Sequence, residues 1–357
     1  MRSLVLILLL ASAPHAHAQI LQNMQSAAAL DFVAPLHFED STENKLDVRS
    51  AELIFFGPLD PTFDATLNFA AHNEEGEFVA EVHEAYVGSS KLIPNSRFRA
   101  GKFFLGVGKL NQTHRHDWAF VSAPRVQSDF FGEEGVADTG AEFSTLLPTE
   151  AYWDITVGVT NGYTYGSHDH HDEHGHGGSE KPHVPTHYLH AVNFVDMGES
   201  GALQWGANYL GRTDAEELKT QLYGFDFVFK KTEGKTTRLL VQSELWYRNQ
   251  SGPGLETTEE IGAYVFPQTA LSERLFLGLR MDLFSELNRT SVSDGSRQGN
   301  LNYAVVPTLT FKNSEFSLLR VAYTYDNQTY QGESDTINQK LEFQWVAILG
   351  AHPAHSF

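Results

Sequence analysis

From about Ala27 onward the chain alternates apolar and polar side chains, segment after segment, and sets charges in the middle of its polar rows. A period of two is the pattern of a strand whose two faces meet different surroundings. Tyr223, Phe225, Phe227 and Phe229 form one row, with Gly224, Asp226 and Lys230 behind it. Leu239, Val241, Leu245 and Tyr247 stand against Gln242, Glu244, Trp246 and Arg248, and Leu275, Leu277, Leu279, Met281 and Leu283 against Arg280 and Asp282. Leu319, Val321, Tyr323 and Tyr325 repeat the arrangement in front of Arg320, Thr324 and Asp326. The fold class is therefore all-β. Periodicity alone leaves open a soluble sandwich, with its apolar rows in a shared core, and a membrane barrel, with apolar rows on lipid and charged rows on a wet lumen.

Loop lengths separate the two. Connections at 57–61, 148–150, 198–201, 232–235 and 313–314 are tight, whereas those at 108–135, 163–186, 249–257, 286–298 and 327–335 are long. Short and long alternate, as in outer-membrane barrels with short periplasmic turns and long extracellular loops. The spacing predicts a single transmembrane antiparallel β-barrel of about 16 strands. No segment of the mature chain approaches the roughly 18 apolar residues of a spanning helix, so a membrane form must be a closed barrel.

Residues 1–18 read as a cleaved signal peptide: Arg2, the apolar run from Leu4 to Leu10, then Ala16-His17-Ala18 before Gln19. Residues 19–357 are then the barrel, exported to a bacterial outer membrane. The terminal Phe357, after the row Leu341, Phe343 and Trp345, is the end that the barrel assembly machinery usually reads, although His352, Pro353 and His355 break the alternation and stop the last strand near Gly350. Outer-membrane lipid is the expected surrounding, and a homotrimer is the assembly such barrels commonly form.

A formal charge of −20 argues against a nucleic-acid binder, which needs a basic face. The absence of cysteine excludes disulfides, zinc–cysteine sites, iron–sulfur clusters and thiol nucleophiles. Neither a G-x-S-x-G elbow nor an H-E-x-x-H helix is present, and no enzyme activity is expected.

Several stretches carry a family likeness: Ala51-Glu52-Leu53, Glu84-Ala85-Tyr86, Ala100-Gly101-Lys102-Phe103-Phe104, NQTHRHDWAF from Asn111 to Phe120, FGEEG from Phe131 to Gly135, Asp138-Thr139-Gly140, and the terminal LGAHPAHSF. In this order they make most of the mature chain resemble plugless outer-membrane barrels distantly related to the phosphate-selective porins, some labelled zinc-regulated TonB-dependent outer-membrane receptors. A TonB-dependent receptor sets a plug ahead of a 22-stranded barrel, and a chain of 357 residues cannot supply both. The resemblance thus implies a porin-sized barrel without active coupling.

Eight of the 17 histidines fall in the loop at 163–190: His168, His170, His171, His174, His176, His183, His187 and His190, with Asp169, Asp172 and Glu173 among them. Imidazole is the commonest protein ligand for zinc, and carboxylates complete such sets where cysteine is missing. Its glycines and Pro182 suit a pliable extracellular capture loop with interchangeable ligand sets; a solvated polar loop with no metal role is the plainer reading. His114 and His116, followed by Asp117, lie in the long segment 108–135. If that segment folds into the lumen as a constriction loop, and if it is strand-like, the two rings share a face and can bind one metal, with Glu133 and Glu134 adding negative charge. Otherwise His116 and Asp117 cap the loop while Trp118 and Phe120 anchor it. His352 and His355 could form a further, weaker pair.

The lumen row is expected to mix Arg49, Arg99, Lys102, Glu142, Glu244, Arg248, Arg280, Asp282 and Arg320, creating a transverse field with modest cation preference. The function expected is a passive channel whose histidine loop concentrates divalent metal ions, zinc foremost, as bound or transported ion with no required cofactor. The alternatives are a general diffusion porin or structural barrel, and a soluble exported metal-binding β protein.

Overall fold

The computed structural model describes residues 24–39, 44–74, 77–162, 181–254, 257–290, 297–330 and 335–351. Sixteen strands run in chain order: β1 Gln25–His37, β2 Asp47–Pro58, β3 Asp64–Glu74, β4 Glu77–Ser89, β5 Ser96–Phe104, β6 Ala137–Leu146, β7 Tyr152–Thr160, β8 Val184–Asp196, β9 Ala202–Thr213, β10 Lys219–Glu233, β11 Thr236–Ser251, β12 Thr257–Ala270, β13 Leu275–Thr290, β14 Arg297–Ser314, β15 Ser317–Tyr330 and β16 Thr336–Gly350. Each pairs antiparallel with its chain neighbours, and β1 pairs with β16 from Ala27↔Gly350 to His37↔Lys340, closing the barrel and leaving no free edge.

Polarity is inverted relative to a water-soluble fold. Asp31, Asp226, Glu244, Arg280 and Asn302 are buried, while Leu53, Phe225, Leu245, Leu277, Leu283 and Trp345 face outward and are exposed. The alternation therefore belongs to a barrel, and the sandwich does not form. Outward aromatics cluster on one stretch of wall: Tyr209, Tyr223 and Tyr247 adjoin on β9–β11, and Trp205 contacts Trp153 and Phe225 beside them.

Regular alternation fails at two bulges on one wall. Between β1 and β2, Asp31 faces Ser50 and Phe32 faces Val48, leaving Arg49 as the extra residue. Between β3 and β4, Asn68 faces Glu84 and Phe69 faces Val82, leaving His83 extra. A bulge re-aims a side chain, and here adjacent residues, His83 and Glu84, are both buried.

Residues 105–136 join β5 to β6 and lie inside the barrel, carrying a single 3₁₀ turn, Arg115–Asp117, and one helix, α1, Arg125–Phe131.

Candidate functional site

Irregular backbone at membrane depth needs partners from the protein itself. The inner loop finds them on the wall. Gly106 N–H donates to Glu142 Oε2 (3.0 Å), Gly108 N–H to Asn208 Oδ1 (2.8 Å) and Leu110 N–H to Glu244 Oε1 (2.7 Å). Luminal arginines serve the carbonyls: Arg49 donates to Val121, Arg248 to Asp129 and Arg280 to Ser122. Three cations expected to line an open passage therefore grip the loop instead. Arg99 pairs with Glu142 at 2.7 Å and also donates to the Phe104 carbonyl, and Arg320 donates to Gln344. Lys102 donates to the Val82 carbonyl.

The loop's neck is closed by one side chain. Asn111 Nδ2 donates to the carbonyls of Leu105 (2.9 Å) and Val136 (3.2 Å), and its Oδ1 accepts from Val136 N–H (2.7 Å). Beside the neck, Gly108 has φ 59°, and a Cβ there would lie 2.5 Å from Glu244 Oε2, so only glycine fits.

One face of the loop is aromatic. Trp118, Phe120, Val126, Phe130 and Phe131 pack against Leu210, Leu222, Trp246, Tyr264, Phe266 and Phe284 on β9–β13. Phe120 meets Tyr264 and Phe266 edge-on at 5.7 and 5.3 Å, and Phe131 meets Trp246 at 4.8 Å. Arg248 stacks over Phe130 at 4.4 Å. Each buried ring contributes about 1.5–3 kcal/mol relative to a water-filled lumen. The expected wet lumen is thus dry on this side.

The opposite face is ionic. His114 and His116 stack at 5.6 Å between centroids. The segment is a 3₁₀ turn rather than a strand, so the two rings straddle Glu52 instead of closing on one point: His116 Nδ1 lies 2.8 Å from Oε1, and His114 Nδ1 lies 3.3 Å from Oε2. His114 Nε2 reaches Glu84 at 3.0 Å, and His116 Nε2 reaches Asp117 at 3.1 Å. Burial opposes charge on both rings, yet the Glu52 carboxylate outweighs it, raising His114 well above the ordinary imidazole value and His116 to about 10. Charge is thereby favoured on both rings. Trp118 donates to the Thr113 carbonyl and Phe120 is fully buried, so anchoring by these rings and ion pairing by the histidines occur together.

Beyond His114 lie two histidines that the sequence reading passed over. His72 on β3 and His83 on β4 stack at 4.7 Å, with their Nε2 atoms 2.7 Å apart. Glu81 Oε1 sits 3.1 Å from His83 Nε2 and 3.6 Å from His72 Nε2. Glu134, from the inner loop, places Oε2 3.3 Å from His83 Nε2 and Oε1 3.1 Å from His72 Nδ1. Burial would raise the Glu134 carboxyl, but hydrogen bonds from His72 and His83 hold it below the ordinary carboxylate range. Among the described residues, His72, Glu81, His83 and Glu134 form one group with metal-ligand spacing, and Glu52, His83 and His114 form another. Glu133, by contrast, is exposed and pairs with Arg115. A hint was present in Glu81-Val82-His83-Glu84: strict alternation would send either His83 or Glu84 to lipid, which a bulge avoids.

His168, His170, His171, His174 and His176 lie outside the described residues, as do His352 and His355. His183 is exposed at the foot of β8, whereas His187 faces outward against Tyr209 at 5.8 Å. His190 turns into the lumen and meets Asp226 at 2.8 Å, with Gln112 of the inner loop beside it. Alternation along β8 thus separates His187 from His190, and the two do not form one ligand set.

The fold is that of the outer-membrane porins. The outer-membrane channel DcaP of Acinetobacter baumannii superposes with a TM-score of 0.60 at 10% identity, covering 92% of this chain and 96% of that one. An anion-selective porin from Comamonas acidovorans gives 0.59 at 9% identity, covering 91% and 99%. OmpT of Vibrio cholerae, an outer membrane protein, gives 0.59 at 9% identity in its trimer form, covering 91% and 99%. In sequence, the chain is 28% identical over 348 residues to an uncharacterized protein of Aquifex aeolicus (strain VF5), covering 90% of this chain and 72% of that protein. No family model matches.

Proposed function

We propose that this protein is a passive outer-membrane channel of porin type, admitting small polar solutes and, among them, divalent transition metals, zinc first. The carrying observation is the closed, polarity-inverted barrel with its own chain folded into the lumen, an arrangement built to narrow a passage rather than to store a core. In this orientation the long connections face outward, and the histidines from His168 to His176 raise local metal concentration at the mouth. Its action is capture and steering, with no covalent step. Weak, repeated sites suit passage, because an ion must leave as readily as it arrives. The lumen's buried imidazoles and carboxylates support the metal reading. The self-sufficient ion pairs around Glu52 favour the alternative, a general diffusion channel with no metal role.

Single-channel current through the purified protein in a planar bilayer tests this. Small, stable steps that zinc modulates, and that lose this response when residues 168–176 are deleted, support metal capture at the mouth. Steps indifferent to zinc in both proteins leave a general channel, and no steps at all removes the channel reading.

A further inference from the structure

We propose that His72, Glu81, His83 and Glu134 bind one divalent first-row transition-metal ion at the seam between the barrel wall and the inner loop, and that the ion latches the loop to the wall. Four donor atoms converge there from three places in the chain. His83 Nε2 lies 2.7 Å from His72 Nε2, 3.1 Å from Glu81 Oε1 and 3.3 Å from Glu134 Oε2, and His72 Nε2 lies 3.6 Å from Glu81 Oε1; all four residues offer ligand atoms within 4.8 Å of one another. A tetrahedral ion with metal–nitrogen bonds of about 2.0–2.1 Å has edges of about 3.3 Å. Two imidazoles and two carboxylates, without sulfur, suit zinc, iron(II), cobalt(II) or nickel(II).

Local structure has been shaped to make the set. The bulge at His83 turns its ring inward, and its register partner strand carries His72 only two residues from the end of β3. Both imidazoles are about nine-tenths buried, with side-chain exposures of 10% and 8%. His83 Nδ1 is buried with no hydrogen-bond partner, a cost that ion pairing through Nε2 alone does not offset. His72 Nδ1 lies 3.1 Å from Glu134 Oε1 but, like His83 Nδ1, is buried without a hydrogen-bond partner, so the pocket satisfies neither ring through its second nitrogen.

The ligands are divided between two bodies. His72, Glu81 and His83 belong to the wall, and Glu134 belongs to the inner loop, three residues before β6 begins at Ala137. Occupancy therefore fixes the loop's exit against β3 and β4. Binding itself is independent of the channel reading; only the effect on current rests on it.

The test uses the full-length protein folded in detergent, titrated with Co2+ and followed by visible absorption. The expected result is an intense four-coordinate band that saturates at one equivalent, is displaced by Zn2+ and survives deletion of residues 168–176. The band should vanish in His72→Gln/His83→Gln, weaken at least tenfold in affinity in Glu81→Gln, and persist in His37→Gln. Glu81 is partly exposed, so its substitution keeps the test decisive even if the double variant fails to fold. A parent protein without the band, or Glu81→Gln titrating as the parent does, overturns the site. In bilayers, Zn2+ should lengthen the dwell time of one current level in the parent and not in Glu81→Gln. Loss of channel steps with the Co2+ band intact removes the proposed function and leaves the site standing; equal dwell times in both proteins remove the latch.

Discussion

The inner loop touches the barrel in two chemically opposite ways. Toward β9–β13 it presents Trp118, Phe120, Phe130 and Phe131 to a wall of rings; toward β2–β4 it presents His114, His116 and Glu134 to carboxylates and imidazoles. The aromatic face is held by exclusion of water, which responds little to pH or to ions. The ionic face is held by charges that protons and metals can exchange. One attachment rests mainly on packed rings and the other mainly on ionisable groups.

The largest way to break this contrast is Trp118→Ala. Removing a fully buried indole from a packed core costs about 3–5 kcal/mol, which frees the loop from its permanent wall. Unitary conductance should rise several-fold while heat-modifiable migration on gels shows the barrel intact; an unchanged conductance would mean that the passage runs elsewhere. Glu52→Gln attacks the other face. It leaves His114 and His116 without their shared counter-charge, at about 2–3 kcal/mol, and should produce frequent brief openings in current records rather than one larger level.

Acidity sharpens the comparison without a substitution. His116 is raised to about 10 by burial opposed and outweighed by Glu52. Its contribution is full below about pH 6.5 and is lost as pH climbs through about 10. Open-channel noise should therefore grow between pH 7 and pH 10.5, and Trp118→Ala should add to it rather than replace it. Equal noise at the two ends of that range in the parent would sink the imidazolium account. The smallest effect belongs to Glu133→Gln. Its pair with Arg115 is solvent-exposed, worth about 0–1 kcal/mol, and neither conductance nor noise should move measurably.

The barrel was legible because each row repeats: on β10, Tyr223, Phe225, Phe227 and Phe229 define the lipid side unaided. The inner loop was legible as a long connection bearing His114, His116 and Asp117. Trp246 stood openly among charged residues on β11, and its ring was a sign that something apolar faces it from inside. His72 and His83 were not legible. Each is a lone histidine in an alternating strand, and their convergence depends on a hairpin register and on the bulge that inserts one residue opposite Asn68 and Phe69. Periodic reading assumes regular strands, and the candidate site sits where a strand stops being regular. His187 and His190 show the reverse: adjacent in a motif, they are sent to opposite faces by an unbroken strand.

Asn111 carries a consequence of another kind. By tying the carbonyls of Leu105 and Val136 together, it seals the loop at its mouth, so that β5 and β6 meet at a fixed place whatever lies between. Changes in the loop beyond that tie reach the two strands only through the tie itself, which separates the contents of the lumen from the sixteen staves that enclose it.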